Sequence, residues 1–281
     1  MNRPIGIYDS GVGGLTVLSV LRRAFPHETF IYFADTLNLP YGNKSRDQIL
    51  DYSHGIASWL QNEKQVKLIV AACHTSSALA LDEIARELNV PVIGTIRPLV
   101  QHVLNDPIHQ KLGIIATVAS ATSRVHEKIL RENGFQGDIV SIGCPDFVPL
   151  IEATLTDRAV LLERAKDYLA PFWEQSLDTL IYGCTHYPFL SDVFETLLSP
   201  GISYVDPAEA ISAEVQRYLY SKNLLNNSDP AGRLEFYCSQ DPETFKRKVR
   251  LLTEIHDPAV ELVNILSAFS AGSSLSSNFF S

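Results

Sequence analysis

Eight short apolar runs recur along the chain: PIGIYD, ETFIYFAD, VKLIVAAC, VPVIGTI, KLGIIAT, DIVSIGC, LDTLIYGC and ISYVDPA. Several are apolar at nearly every position, which predicts strands covered by helices on both faces. Between them the period changes. Behind Cys73, Ala78, Leu81, Ala85 and Leu88 fall on one helical face, with Ser76 or Ser77 available as N-cap, and Ser45 is a further cap candidate. Strands alternating with helices predict an α/β protein with mostly parallel sheets.

The pattern also echoes itself. PIGIYDS and KLGIIAT each open a group of strands, and each group later holds a strand that ends in cysteine, at Cys73 and Cys184. Two similar, pseudo-symmetric lobes are therefore predicted, with strand carboxyl ends facing a shared cleft, where ligands of open α/β sheets bind. Their boundaries read as 1–96 with 208–281 for the first lobe and 97–207 for the second. After Pro207 the pattern is helical again and is expected to return to the first lobe. The end of the chain, SAFSAGSSLSSNFFS (267–281), is Ser-rich and reads as loosely ordered.

Composition narrows the function. The 281 residues, 46% hydrophobic and 20% charged, suit a globular chain with about two domains. No apolar run approaches bilayer length, and the N-terminus enters a strand without room for a secretion signal. A cytoplasmic protein without membrane association is expected. A net charge of -9 leaves no basic footprint for nucleic acid, so no such partner is expected. The four cysteines, at 73, 144, 184 and 238, are scattered and read as reduced thiols.

Asp9, Cys73, Thr117 and Cys184 stand at predicted strand ends, facing the cleft. A lone cysteine is as easily a buried small hydrophobe; two at equivalent junctions favour chemistry. Cys144, followed by Pro145, and Cys238, in LEFYCSQ, lack that context and read as packing. A thiol near a helix start is expected to have its pKa lowered from about 8.5, and can then serve as a base. His186, two residues after Cys184, is placed to exchange its proton, unless it only satisfies a turn.

DSGVGG (9–14) between strand and helix invites a nucleotide reading, but Thr16 stands where a third glycine is needed and no Gly-Lys-Ser/Thr follows. Freed N–H groups could equally cradle a carboxylate, and a tight turn capped by Asp9 is the simplest alternative. LNLPYGNKS (37–45) reads as a loop at the same end. A zinc site at Cys73-His74 and Cys184-x-His186 is the main rival, though adjacent Cys-His is poor chelating geometry and no Cys-x-x-Cys pair occurs. No metal is expected.

IGIYDSGVGGLTVL, LPYGNKS, the strand-Cys-x-Thr segment at 73–75, CPDFVPLIE (144–152), GCTHYP (183–188) and VDPAEA (205–210) together resemble the glutamate racemases, of the cofactor-independent aspartate/glutamate racemase superfamily. The resemblance spans about residues 4–225. It implies a two-lobed fold with substrate between the lobes, no cofactor, frequent homodimers, and D-glutamate as product for bacterial peptidoglycan. By matching motif, Cys73 would remove the Cα proton of D-glutamate and Cys184 protonate the opposite face, with roles reversed for L-glutamate. Asp9 would assist Cys73, and Glu152 and His186 would support Cys184. Asp9, Ser10, Tyr41, Gly42, His74, Thr75, Thr185 and His186 fall where the family binds substrate.

Three positions depart from the family pattern. His74 replaces the usual Asn, and Ser120 and His126 stand where Thr and Tyr are common. If His74 contacts substrate, its titration should add an inflection to the pH profile between roughly pH 5.5 and 7.5. The N-terminus is too short for the extension with which some members sense a cell-wall precursor, so that regulation is not expected. Racemisation of aspartate or another amino acid, and non-catalytic amino-acid binding on the same scaffold, are the alternatives.

Overall fold

The computed structural model describes residues 3–106, 108–153, 157–173, 176–227 and 232–265. Eight strands stand where the apolar runs place them: β1 (Ile5–Asp9), β2 (Phe30–Ala34), β3 (Leu68–Ala71), β4 (Val92–Ile93), β5 (Lys111–Ala116), β6 (Asp138–Gly143), β7 (Thr179–Gly183) and β8 (Ser203–Val205). Two more, β9 (Leu234–Cys238) and β10 (Val260–Leu262), occupy a region expected to be helical. They escape the pattern because β9 begins half-buried and β10 is mostly exposed, so neither carries a full apolar run. Ser-rich 267–281 lies outside the described residues.

The strands form two sheets, ordered β10-β9-β2-β1-β3-β4 and β6-β5-β7-β8. Every pairing among the described residues is parallel. The order β2-β1-β3-β4 recurs as β6-β5-β7-β8, so the echo in sequence is an echo in topology.

The segment behind Cys73 differs from expectation. Cys73 itself occupies the N-cap position of the helix His74–Leu79, and a second helix, Leu81–Glu87, follows a break at Ala80. The two serines lie within the first helix because their hydroxyls are engaged elsewhere. Ser76 Oγ is 2.9 Å from the Tyr8 hydroxyl and 2.8 Å from Ser53 Oγ, while Ser77 donates to the Ala71 carbonyl at 3.0 Å. Ser45 does cap its helix, Arg46–Asn62, in a reciprocal pair with Gln48.

Alternating residues of β1 sort the core. Ile5 and Ile7 join Phe30, Tyr32 and Val70 against the helices Leu15–Ala24 and Pro207–Ser221, in a cluster that continues through Phe147, Leu180 and Phe194 into the second sheet. Tyr8 faces the other way, with Phe33, Ile69 and the helix Arg46–Asn62. Each fully buried Leu, Ile or Phe contributes about 1.5–3 kcal/mol, so the shared cluster ties the two lobes together. Among the described residues no helix is long and apolar enough to cross a membrane.

Candidate active site

Strand register fixes where the chemistry stands. Asp9 pairs with Ala34 and Tyr8 with Ala71, so Asp9 and Cys73, two residues beyond Ala71, share one carboxyl edge. Ala116 pairs with both Gly143 and Gly183, so the next residues, Thr117, Cys144 and Cys184, form a row on the other. These edges face a narrow cleft with Cys73 on one side and Cys184 on the other. Ser10, Tyr41, Gly42, His74, Thr75, Thr185 and His186 also line it. Asp9 and Glu152 are buried behind that lining.

Behind Cys184 runs a chain of charged groups. Cys184 Sγ is 3.7 Å from His186 Nδ1, and His186 Nε2 is 2.8 Å from Glu152 Oε1. Val12 N–H donates to the same oxygen at 2.8 Å, and Lys248 Nζ donates to Oε2 at 2.7 Å. Burial disfavours the imidazolium, but contacts with Cys184 and Glu152 outweigh it and raise the His186 pKa well above its usual value. Burial likewise works against the Glu152 carboxylate, yet His186 and Lys248 bring its pKa down to about 2. These contacts favour the imidazolium, the form that donates from both nitrogens.

Cys73 has a different environment. Burial pushes its thiol up and the Asp9 carboxylate adds to this, while the N–H groups of Ser76 and Thr75 only partly compensate. The expected lowering by the helix start is reversed because desolvation outweighs a few N–H dipoles. Asp9 accepts from Gly11 N–H at 2.8 Å and from the Thr185 hydroxyl at 3.0 Å. Burial raises its pKa too, against the lowering effects of His186 and these two donors.

DSGVGG is a close-approach loop. A Cβ on Gly11 would collide with Glu152 Oε1, and one on Gly13 with His186 Nδ1 and Thr185 Oγ1. These glycines let the first lobe press against the group behind Cys184. Tyr41 is anchored through its hydroxyl, which donates to Asp35 at 2.6 Å. Thr75 and Thr117 meet across the cleft with their oxygens 2.9 Å apart, and the Thr117 hydroxyl donates to Ser120 at 3.1 Å.

His74 lines the cleft with both ring nitrogens buried and lacking hydrogen-bond partners, and its ring stacks on His126 at 5.8 Å between centroids. Burial, and next the His126 charge, hold its pKa well below the usual value; burial brings His126 down to about 4. Desolvation thus works against the charged form of His74 and against the expected inflection between roughly pH 5.5 and 7.5.

Sequence reasoning missed two residues. Cys144, read as mere packing, lines the cleft, though burial pushes its thiol up. Lys248 carried no usable signal, because nothing local separates it from Lys246, Arg247 and Arg250. Among the described residues no group of three or more His, Cys, Asp or Glu is placed to hold a metal ion.

Two similar parallel α/β lobes, each presenting a strand-end thiol to one cleft, define the structural class. The sequence profile for Asp/Glu/Hydantoin racemase matches residues 16–215. A glutamate racemase from Rippkaea orientalis is 41% identical over 246 residues, covering 88% of this chain and 86% of that protein. One from Gloeothece citriformis is 43% identical over 242 residues, 86% of each chain. The crystal structure of glutamate racemase from Francisella tularensis in complex with D-glutamate superimposes with a TM-score of 0.87 at 31% identity, covering 95% of this chain and 99% of that one. The chain belongs to the glutamate racemases, within the wider Asp/Glu/Hydantoin racemase family.

Proposed function

We propose that the protein interconverts L- and D-glutamate, with Cys73 and Cys184 exchanging the roles of acid and base. The observation that carries this is the placement of one thiol from each lobe along a single cleft. Inversion at carbon requires a base on one face and an acid on the other. With D-glutamate, the Cys73 thiolate takes the Cα proton, so that C–H breaks and S–H forms while the electron pair delocalises into the adjacent carboxylate. The Cys184 S–H then breaks and a new C–H bond forms on the opposite face. This leaves a Cys184 thiolate and a Cys73 thiol, the arrangement that L-glutamate needs.

Surrounding groups support each half. Asp9 stands near Cys73, and His186 faces Cys184 with a positive charge held by Glu152. Ser10, Thr75, Thr185 and the Tyr41–Gly42 segment hold the amino and carboxylate groups. The lobes run 1–96 with 208–281 and 97–207, a division supported by the membership of β1–β4, β9 and β10 in one sheet and β5–β8 in the other. On this reading the protein works in the cytoplasm and supplies D-glutamate for peptidoglycan.

Single enantiomers of glutamate and aspartate, followed by circular dichroism and by Cα–H exchange in deuterated water, test the proposal. Loss of optical activity from both glutamate enantiomers with solvent deuterium in the product is expected. Turnover of aspartate alone, or binding without exchange, would overturn it.

A further inference from the structure

The group behind Cys184 does not end within the second lobe. Lys248 lies on the helix Pro242–Leu252, close in sequence to β9, and its ammonium reaches Glu152 Oε2 at 2.7 Å. Its side chain is 13% exposed, whereas Lys246 and Arg250 on the same helix are 26% and 45% exposed and pair with Asp257. One lysine of a solvated basic helix thus turns inward. Once Cys184 has given up its proton, the row of thiolate, imidazolium, carboxylate and ammonium alternates in charge. Each inner ion then has an opposite charge on both sides, which offsets the desolvation that an isolated buried pair suffers. Asp9, the carboxylate near Cys73, is hydrogen-bonded instead by the neutral donors Gly11 N–H and Thr185 Oγ1, and His186 acts on it through charge without such a bond.

We propose that Lys248 is a positioning residue for Cys184 alone: by fixing Glu152 it keeps His186 aligned and charged against the sulfur, so the C-terminal part of the chain completes the acid–base apparatus of one face of the substrate. This rests on the two-thiol reading. Because glutamate enantiomers are equally stable in water, no variant can favour one direction in kcat/KM. The asymmetry must instead appear in which proton transfer limits the rate.

The variants are Lys248→Met, with Lys248→Gln in parallel should the apolar replacement fail to fold, and Lys248→Arg as the charge-conserving rescue. The first readout needs no turnover. Iodoacetamide modification of Cys184 and Cys73 is followed in the same sample by peptide mass spectrometry. Removing the charge is expected to slow alkylation of Cys184 by roughly tenfold, the scale of one charge-assisted contact. Cys73 should change far less, and Lys248→Arg should recover most of the loss. Equal changes at both cysteines, or none, overturn the proposal.

The second readout uses Cα-deuterated substrates. In the charge-free variants the isotope effect on kcat/KM should rise with L-glutamate, whose proton Cys184 takes, and fall with D-glutamate. Parallel changes for the two enantiomers overturn the assignment to one face. A wild-type protein that fails to racemise glutamate would overturn the glutamate reading, while the alkylation contrast would still decide the role of Lys248.

Discussion

Cys73 and Cys184 end equivalent strands but meet unlike neighbours, a carboxylate near one and an imidazolium beside the other. A serine hydroxyl is a far weaker base than a thiolate at neutral pH, so Cys73→Ser and Cys184→Ser are each expected to lower kcat by about 1,000-fold or more while glutamate still binds. Steady-state turnover with calorimetric binding checks both halves of that statement. His74→Asn is expected to change KM severalfold and to leave the shape of the pH profile between roughly pH 5.5 and 7.5 unchanged, because burial disfavours the charged ring. An inflection in that window that vanishes with the substitution would show that substrate carries the imidazole back to its charged form. The two thiols were legible because an apolar run that stops at cysteine is a strong local signal. Their protonation was not, since desolvation depends on residues from distant parts of the chain.

The strand-to-helix loop DSGVGG illustrates what an element can conceal. Its glycines suggest phosphate binding from sequence, yet the reason for them is a neighbour more than a hundred positions away. Gly13→Ala should force the His186 ring or the Thr185 hydroxyl aside, an overpacking cost of about 1–3 kcal/mol. The expected result is a drop in kcat/KM larger than the drop in thermal stability, read from kinetics and melting curves together. Wild-type activity in that variant would mean that the loop has slack to yield. The first eight strands were readable because each is a compact apolar run. The last two were not, since β9 begins half-buried and the edge strand β10 beside it is mostly exposed, so neither is a full apolar run. Lys248 went unnoticed with them, because the partner that gives it meaning lies 96 residues away.

For the molecule as a whole, buried imidazoles set the response to acid. The unfolded chain protonates His126 below about pH 6.5, but the folded chain resists until about 4. Across that window the unfolded state binds more protons, so stability falls as pH drops, by on the order of 3 kcal/mol for this ring, with His74 acting in the same direction. Glu152, depressed to about 2, adds a second loss below about pH 4.5. His186 works in the opposite sense: its raised pKa gives stability that is complete below about pH 6.5 and is lost as pH rises through the folded value. His126→Phe keeps an aromatic ring against His74 and should flatten the slope between about pH 6.5 and 4, measured by urea unfolding at several pH values. An unchanged slope would move the acid sensitivity elsewhere. The shared order β2-β1-β3-β4 and β6-β5-β7-β8 carries a stereochemical consequence. A single copy of that unit would hold only one thiol of the matching pair and approach an amino acid from one side only. Such a half could pass a proton back and forth with the solvent and return the same enantiomer each time. Loss of handedness enters only when a second copy faces the first, so the mirror relation between substrate and product is written in the doubling of the chain.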